Sequence, residues 1–283
     1  MDKSAVFETT KGIYTGIERL AGGMSTVYRA RERNGQNDFV IKIYDSDDKE
    51  FARWSYEREV ETLRTLCGTE GIPKLHDHSC QNGHRFIVEE CIPGKDLNQI
   101  LRSNGALCAT DATSTLQQIC TTLTQAHAKG IVHRDLKPEN IILSRKRPTL
   151  IDWGVAYKTG DGKQHPFTLG TPGYQSPEEL SPEETVDCRS DIYALGLVLF
   201  ELLTGRRAFD GPTEALEYQN INCPAPLPRE FNPLLSEDLD EVCQKATALD
   251  PSKRYGSAEE LSLALGNARK KRTSKCFKVN YFA

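Results

Sequence analysis

The sequence predicts an α+β protein with two lobes, one rich in strands and one mainly helical. Through the first ninety residues, short segments with β-branched and aromatic residues follow one another. Beyond Pro93-Gly94, longer segments with helical spacing of apolar residues predominate. A chain of 283 residues is long enough for two such parts. We expect an N-terminal lobe over 1–93, a C-terminal lobe over 94–268 and a basic tail over 269–283.

An antiparallel sheet with one helix is expected in the first lobe. Asn34-Gly35 is a turn signal of the kind that joins neighbouring strands. A helix is predicted over 47–66 because apolar residues recur there at mostly helical spacing, after acidic residues in the first turn. The strands are expected near 13–20, 26–31, 39–44, 74–78 and 85–90.

Helices are expected to dominate the second lobe. The segment 110–129 has one apolar face, and Gly130 follows it as a C-terminal cap. The segment 190–204 is apolar on several faces, which predicts a central buried helix. A third helix over 257–265 begins with a capping box formed by Ser257 and Glu260.

Composition and charge exclude several classes of protein. The net charge of −4 does not favour nucleic acid as a partner. Nine cysteines without a Cys-x-x-Cys pair argue against zinc and for reduced thiols in the cytoplasm. The N-terminus does not resemble a signal peptide, and no apolar run reaches the length of a membrane span. Membrane contact is expected only if the chain continues beyond Ala283 and the basic tail is juxtamembrane.

Two motifs carry the chemistry, His-Arg-Asp-Leu-Lys-Pro-Glu-Asn at 133–140 and Asp-Trp-Gly at 152–154. Asp135 is the candidate base for a hydroxyl group, and Lys137 would offset charge on a γ-phosphate. Asn140 and Asp152 offer the oxygen ligands that suit Mg²⁺, with Mn²⁺ as the alternative ion. Together these residue types predict phosphoryl transfer from ATP; a polar turn beside a core strand is the simpler alternative.

Two weaker signals precede these motifs. Gly22 and Gly23 lie between two predicted strands, where the backbone could approach phosphates or simply form a hairpin turn. Lys42 ends an apolar strand, and Glu59 follows it by 17 positions in the predicted helix. An ion pair between them would hold the ammonium group at the phosphates, with Glu57 and Glu61 as competitors for that role.

The combination resembles the eukaryotic-type (Hanks-type) protein kinases, over about 13–265. The run Gly-Gly-Met-Ser-Thr-Val-Tyr at 22–28 is most similar to bacterial serine/threonine kinases. The resemblance implies a bilobal protein-kinase-like fold that binds Mg-ATP in the cleft and phosphorylates Ser or Thr of proteins. It implies these ATP-binding residues: Leu20, Gly22, Gly23, Ser25, Val27, Val40, Lys42, Glu59, Glu90, Ile92 and Ile142.

The resemblance also assigns structural and regulatory roles. Thr171 would serve substrate docking, Glu178 would pair with Arg254, and Asp191 would brace the catalytic loop. Arg134 is expected to receive a phosphorylated residue of the loop that precedes Glu178. Thr159, Thr168 and Thr171 are the candidates, and autophosphorylation at Thr168 is the hypothesis, in trans within a homodimer.

The sequence departs from the family pattern at several places. The glycine-rich loop has Ser25 in place of the third glycine, and Trp153 replaces the usual Phe. Glu89 occupies the gatekeeper position, where a buried carboxyl group must find a partner or stay neutral, unless the strand register turns it to solvent. These departures keep a pseudokinase scaffold open as an alternative. A small-molecule kinase is the other, and Arg134 and the segment 173–178 argue against it.

Overall fold

The structure is a computed structural model that describes residues 6–9, 11–22, 25–45, 48–81, 84–145, 147–160, 169–181 and 184–270; side chains at 21, 22, 81, 269 and 270 are left aside. The chain divides into two units. The first comprises Met1–Pro93 and Asp152–Gly154, and the second comprises Gly94–Ile151 and Val155–Ala283. A strand-rich unit and a mainly helical one confirm the α+β prediction.

The first unit is built on an antiparallel six-stranded sheet with the order β1-β2-β3-β4-β6-β5. One helix, α1 (Lys49–Thr65), lies between the fourth and fifth strands in sequence. The strands are β1 (Val6–Glu8), β2 (Ile13–Gly22), β3 (Thr26–Glu32), β4 (Asp38–Tyr44), β5 (Leu75–Gln81) and β6 (His84–Glu90).

Strand alternation and a helix cap position the first unit's functional residues. On one face of the sheet, buried apolar side chains including Tyr14, Phe39 and Ile41 form a core cluster. Helix α1 begins after Asp48, whose carboxylate accepts a hydrogen bond from the Phe51 amide. Its buried residues include Glu59, which the helical period therefore turns inward.

The second unit is mainly helical, with short strand pairs that support its loops. Strands β7 and β10 both pair with β9, and β8 pairs with β11. Its elements are β7 (Lys95–Asp96), α2 (Leu97–Asn104), α3 (Ala109–Ala128), β8 (Ile131–Val132), β9 (Ile141–Leu143), β10 (Pro148–Leu150), β11 (Tyr157–Lys158), α4 (Cys188–Thr204), α5 (Thr213–Asn222), α6 (Pro228–Phe231), α7 (Glu237–Ala246) and α8 (Ala258–Lys270).

Helix α4 is the centre of the second unit. Every residue from 190 to 203 is buried, as expected for a helix that is apolar on several faces. At Gly196 a Cβ atom would lie 2.6 Å from the Thr247 side chain and 2.8 Å from that of Ala246, so glycine permits the close approach of α4 to α7.

The structure differs from the sequence-based expectation mainly in elements that lack a strong periodic signal. Strand β1 and helices α2, α5, α6 and α7 were not predicted. Helix α8 continues through Lys270 and so includes the first two residues of the predicted tail, whose boundary stays a prediction. The Ser257 hydroxyl caps α8 as expected, but Glu260 bonds to the amide of Gly256 instead of completing a capping box. Among the described residues, no helix is both long and apolar enough to span a membrane.

Candidate active site

A buried ammonium group among three carboxyl groups is the main feature of the first unit. Lys42 Nζ on β4 lies 2.5 Å from Glu59 Oε1, 3.5 Å from Asp152 Oδ1 and 3.6 Å from Glu89 Oε1. We call these four residues the Lys42 cluster. Burial alone would lower the pKa of Lys42, but the three carboxyl groups outweigh it and raise that pKa. The lysine therefore carries its charge at neutral pH.

Glu59, and not its competitors, is the partner of Lys42. Glu57 is exposed and bonds to Arg53, and Glu61 is exposed near Arg58. The carboxylate of Glu59 also accepts hydrogen bonds from the hydroxyl of Tyr44 and from the amide of Trp153, the latter at 3.3 Å. These donors fix Glu59 relative to the sheet and to the segment 152–154.

The carboxyl group of Glu89 faces inward and lies beside Lys42. The sequence left open whether Glu89 is buried or faces solvent, and in the structure it is buried. Its side chain is 3% exposed, and Oε1 has no hydrogen-bond partner in the part of the chain that the structure describes. Burial raises the pKa of Glu89 to about 8, with Glu59 and Asp152 adding to the rise against the opposing effect of Lys42. At neutral pH this carboxyl group is therefore mainly protonated.

The Asp-Trp-Gly segment belongs to the first unit although it lies far along the sequence. Asp152 has a left-handed backbone with φ of 67°, which is unusual for a residue with a side chain. Trp153 is fully buried, and the carbonyl oxygen of Gly154 accepts a hydrogen bond from the Ser55 hydroxyl on α1. The larger ring of Trp153 is thus accommodated in the core while its amide bonds to Glu59.

The residues assigned to ATP by resemblance are distributed over both units. In the first unit, Leu20 is exposed on β2, and Gly22 pairs with Thr26 at the start of the loop that contains Ser25. Gly23 lies outside the described residues. The other positions are Val27 on β3, Val40 on β4, Glu90 at the end of β6, Ile92 just after it, and Ile142 on β9 of the second unit.

In the second unit, three side chains meet at the predicted catalytic loop, residues 133–140. Asp135 is buried, and its Oδ1 accepts a hydrogen bond of 2.6 Å from the hydroxyl of Thr171. Lys137 Nζ lies 2.5 Å from the same hydroxyl and 2.9 Å from Asp135 Oδ2. An aliphatic hydroxyl group is thus held between a carboxylate and an ammonium group. The arrangement is suited to accept a proton from an alcohol.

Asp191 on α4 holds this loop in place through hydrogen bonds to its backbone. Its carboxylate accepts hydrogen bonds from the amides of His133, at 2.9 Å, and of Arg134, at 3.0 Å, and lies 2.7 Å from His127 Nε2. Burial alone would raise the pKa of Asp191, but His127, His133 and the amide donors hold it below its ordinary value. The brace fixes Arg134 in a left-handed conformation with φ of 68°.

His133 is fully buried and contacts the loop through a ring nitrogen. Its Nε2 lies 3.2 Å from the carbonyl oxygen of Ile151, and its Nδ1 faces the amide of Asp135 at 3.3 Å. The ring therefore connects the catalytic loop to the strand end that precedes Asp152.

The segment from Thr171 to Glu178 is anchored by a buried ion pair. Arg254 donates to both oxygens of the Glu178 carboxylate, at 2.7 and 2.8 Å, and Ser190 donates to one of them at 2.6 Å. Burial would raise the pKa of Glu178, but Arg254 and Ser190 lower it below its ordinary value. The arginine also donates to backbone carbonyls that include Leu249 and Ala248.

Arg134 has a partner that sequence reasoning missed. Its Nε lies 3.2 Å from Glu179 Oε1, and the two side chains are 9% and 2% exposed. The sequence analysis expected a phosphorylated loop residue at this arginine. Thr168 lies outside the described residues; Thr159 is exposed and bonds to the carbonyl oxygen of Gly130. A local signal existed in Ser-Pro-Glu-Glu at 176–179, which has the spacing of a capping box, but it does not reveal the distant arginine.

Asn140 and Asp152 each carry an oxygen atom of the kind that a hard divalent cation prefers. The amide nitrogen of Asn140 donates to the carbonyl oxygen of Asp135, at 2.8 Å, and to its Oδ2, at 2.9 Å, so Oδ1 of Asn140 is the atom that can bind a metal. Asp152 keeps 38% of its side chain exposed. Within the described residues, no group of three or more His, Cys, Asp or Glu could hold a metal by itself. Mg²⁺ commonly takes one or two protein oxygens and completes its shell with phosphates and water, so each of these oxygens is of a kind that suits it.

This fold, with a strand-rich unit and a mainly helical unit, is that of a protein kinase domain. The protein kinase domain family matches residues 18–264. The chain belongs to this family, and it has the bilobal kinase fold that the sequence predicted.

The most informative relatives are bacterial. Over 254 residues the chain is 33% identical to the serine/threonine-protein kinase PrkC of Bacillus subtilis, covering 87% of this chain and 39% of that protein. It is 34% identical to PknD of Mycobacterium tuberculosis, covering 87% and 38%, and 34% identical to PknE of Mycobacterium bovis, covering 93% and 48%. The chain thus spans less than half the length of these relatives.

Proposed function

We propose that this chain is a serine/threonine protein kinase domain that transfers the γ-phosphate of ATP to hydroxyl groups of proteins. The observation that carries the proposal is the hydroxyl of Thr171 between Asp135 and Lys137, at 2.6 and 2.5 Å. An acceptor serine or threonine presents the same kind of hydroxyl. The relatives PrkC, PknD and PknE are named serine/threonine-protein kinases, which agrees with this choice of acceptor.

The side chains divide the work of transfer. Asp135 accepts the proton of the acceptor hydroxyl and orients its oxygen for in-line attack on the γ-phosphate. Lys137 offsets negative charge that the phosphoryl group carries during transfer. Lys42, held by Glu59, binds the α- and β-phosphates. A divalent cation, Mg²⁺ or Mn²⁺, would offset the phosphate charge through Asn140 and Asp152.

Substrates, regulation and location are finer parts of the same proposal. Protein substrates with Ser or Thr acceptors are supported by the position of the Thr171 hydroxyl between Asp135 and Lys137. Autophosphorylation at Thr168, in trans within a homodimer, is supported by the position of this threonine three residues before Thr171. A cytoplasmic location is supported by the described cysteines, none of which forms a disulfide with another described cysteine.

Transfer assays with three proteins test the proposal. The wild type, Asp135→Asn and Lys42→Met are each incubated with labelled ATP, Mg²⁺ and a generic protein substrate. We expect label on protein with the wild type, and a loss of about 10²–10⁴-fold for Asp135→Asn, since a positioned base contributes that much. ATP binding without transfer to itself or to substrate would instead indicate a pseudokinase scaffold and refute the proposed function.

A further inference from the structure

Arg134 immediately precedes Asp135 in the sequence, and only 9% of its side chain is exposed. The charge of its guanidinium group must therefore be neutralised. A buried, unpaired charge is strongly unfavourable and would disturb the loop that carries it. In the proposed function, a phosphate on the loop before Glu178 would be the expected counter-ion. The structure shows that a carboxylate of the chain already fills this role.

Glu179 is held at both of its carboxylate oxygens. Oε1 lies 3.2 Å from Arg134 Nε, while Oε2 accepts hydrogen bonds of 2.9 Å from both the amide and the hydroxyl of Ser176. The preceding residue, Glu178, is fixed by Arg254. Both the backbone and the side chain of Glu179 are therefore held in place, and its carboxylate is already positioned for the contact with Arg134.

Resting on the proposed function, we propose that Glu179 is a positioning residue. Its ionised carboxylate serves as the counter-ion of Arg134 and keeps Asp135 in place, so that transfer does not require a loop phosphate on this arginine. Autophosphorylation of the loop can still occur, but it is not what neutralises Arg134. Asp191 fixes the amides of His133 and Arg134, and Glu179 fixes the side chain of Arg134.

A simple capping role for Glu179 would explain only half of its contacts. The turn Pro177–Glu179 is capped through Oε2 and Ser176, and this function uses the carbonyl oxygen of glutamine equally well. The contact with Arg134 uses the other oxygen and depends on charge. Glu179→Gln therefore retains the cap and the side-chain volume while it removes the counter-ion.

The protonation state of Glu179 offers a second way to separate the two roles. Burial raises the pKa of Glu179 to about 7, with Asp191 adding to the rise, while Arg134 and the hydrogen bonds from Ser176 oppose it. The other charged groups near this pair are His127 and His133 against Asp191, and Glu178 with Arg254. Above pH 7 the carboxyl group is ionised and neutralises Arg134; below pH 7 it gains a proton and becomes equivalent to glutamine.

The test compares wild type, Glu179→Gln and Ser176→Ala after complete dephosphorylation, verified by mass spectrometry. At pH 8 we expect the initial kcat of the wild type to stay within about 2-fold of its phosphorylated form. Dephosphorylated Glu179→Gln should lose about 10-fold or more in kcat and regain it after autophosphorylation, because a phosphate can then pair with Arg134. Ser176→Ala, which loses a cap but keeps the charge, should lose less than Glu179→Gln.

The pH profile supplies a readout that a purely structural role would not move. The ratio of kcat between dephosphorylated wild type and Glu179→Gln should rise from about 2 at pH 6 to about 9 at pH 8. A constant ratio, or a wild type that loses activity on dephosphorylation as much as Glu179→Gln does, would overturn the proposal.

Failure of the proposed function would be recognised separately. If no form of the protein transfers phosphate, the counter-ion is tested at pH 8 by unfolding free energies of Arg134→Met, Glu179→Gln and the double variant. A coupling between the two substitutions supports the pairing of these side chains in the folded chain, and additive effects would overturn it.

Discussion

In the Lys42 cluster of the first unit, a single ammonium group lies among three carboxyl groups, and one of these, Glu89, stays neutral by holding a proton. In the second unit, the carboxylate of Glu178 accepts hydrogen bonds from Arg254 at both oxygens, and that of Asp191 accepts them from two backbone amides and lies beside His127. We call these two carboxylates the loop anchors. The cluster carries excess acid, whereas each anchor is matched by its own donors.

The pKa of Glu89 moves in the opposite direction from those of the two loop anchors because of this difference. Matched donors lower the pKa of Glu178 and Asp191, while burial without a full partner raises that of Glu89. An excess of carboxyl groups suits a region that is expected to bind a metal ion together with a nucleotide, since the metal ion would offset part of the negative charge. A matched set suits loops that must keep one geometry.

The largest expected effect comes from breaking a loop anchor. Glu178→Gln keeps the shape of the side chain but leaves Arg254 buried without its counter-ion, so the free energy of unfolding at pH 7 should fall by about 3–5 kcal/mol. Urea denaturation measures this change. The matched control is Glu237→Gln, which removes an exposed carboxylate 3.3 Å from Arg229 and should cost less than about 1 kcal/mol.

Equal effects of these two substitutions would show that the buried pair is no stronger than a surface pair. The claim that matched donors stabilise the loop anchors would then fail.

An intermediate effect is expected at Glu89, with the opposite sign. Its pKa in the folded chain, about 8, is above the ordinary carboxyl value, so the folded state retains a proton that the unfolded state releases. Wild-type stability should therefore fall as the pH rises from about 5 to 8. Glu89→Gln lacks this loss and should gain stability relative to wild type across that window, by up to about 1.4 kcal/mol for each pH unit.

Denaturation curves of the two proteins at several pH values check this prediction. Parallel stability profiles would mean that Glu89 is ionised in the folded chain and well paired with Lys42, contrary to an excess of acid in the cluster.

The smallest expected effect concerns a donor that supports the cluster. Tyr44→Phe removes the hydroxyl hydrogen bond to Glu59, which keeps Lys42 and the amide of Trp153 as donors. A loss of about 1 kcal/mol in thermal or urea denaturation is expected, as for one hydrogen bond among several. Tyr218→Phe, at an exposed position on α5, is the control and should leave stability unchanged. A loss above about 3 kcal/mol would show that Tyr44, not Lys42, is the main partner of Glu59.

Much of the fold was readable from the sequence because its signals are local. Alternating strands around Asn34-Gly35 predicted the hairpin of β3 and β4, and the all-round apolar segment predicted the burial of α4. The sequence context of Glu59, Tyr-Glu-Arg-Glu at 56–59, also favoured it over Glu57 and Glu61. Strand β1 escaped because three residues carry too little pattern, and α5 escaped because it lacks a clear apolar face.

The candidate site was only partly readable for a similar reason. Its motif residues stand out by type and order, whereas the contacts of Tyr44 and Glu179 join residues 15 and 45 positions from their partners, without a local signal. The protonation of Glu89 could be posed as a question from the sequence, but it needed the positions of Lys42, Glu59 and Asp152 to be answered.

The central claim is that Asp135 directs transfer to an aliphatic hydroxyl group, and the identity of the phosphorylated amino acid tests it most directly. Wild type and Asp135→Asn are incubated with labelled ATP and Mg²⁺, and the labelled protein is hydrolysed to amino acids. We predict phosphothreonine or phosphoserine from the wild type and a label lower by about 10²–10⁴-fold from Asp135→Asn, since the variant lacks the base. Phosphotyrosine, or equal labelling of the two proteins, would contradict the account.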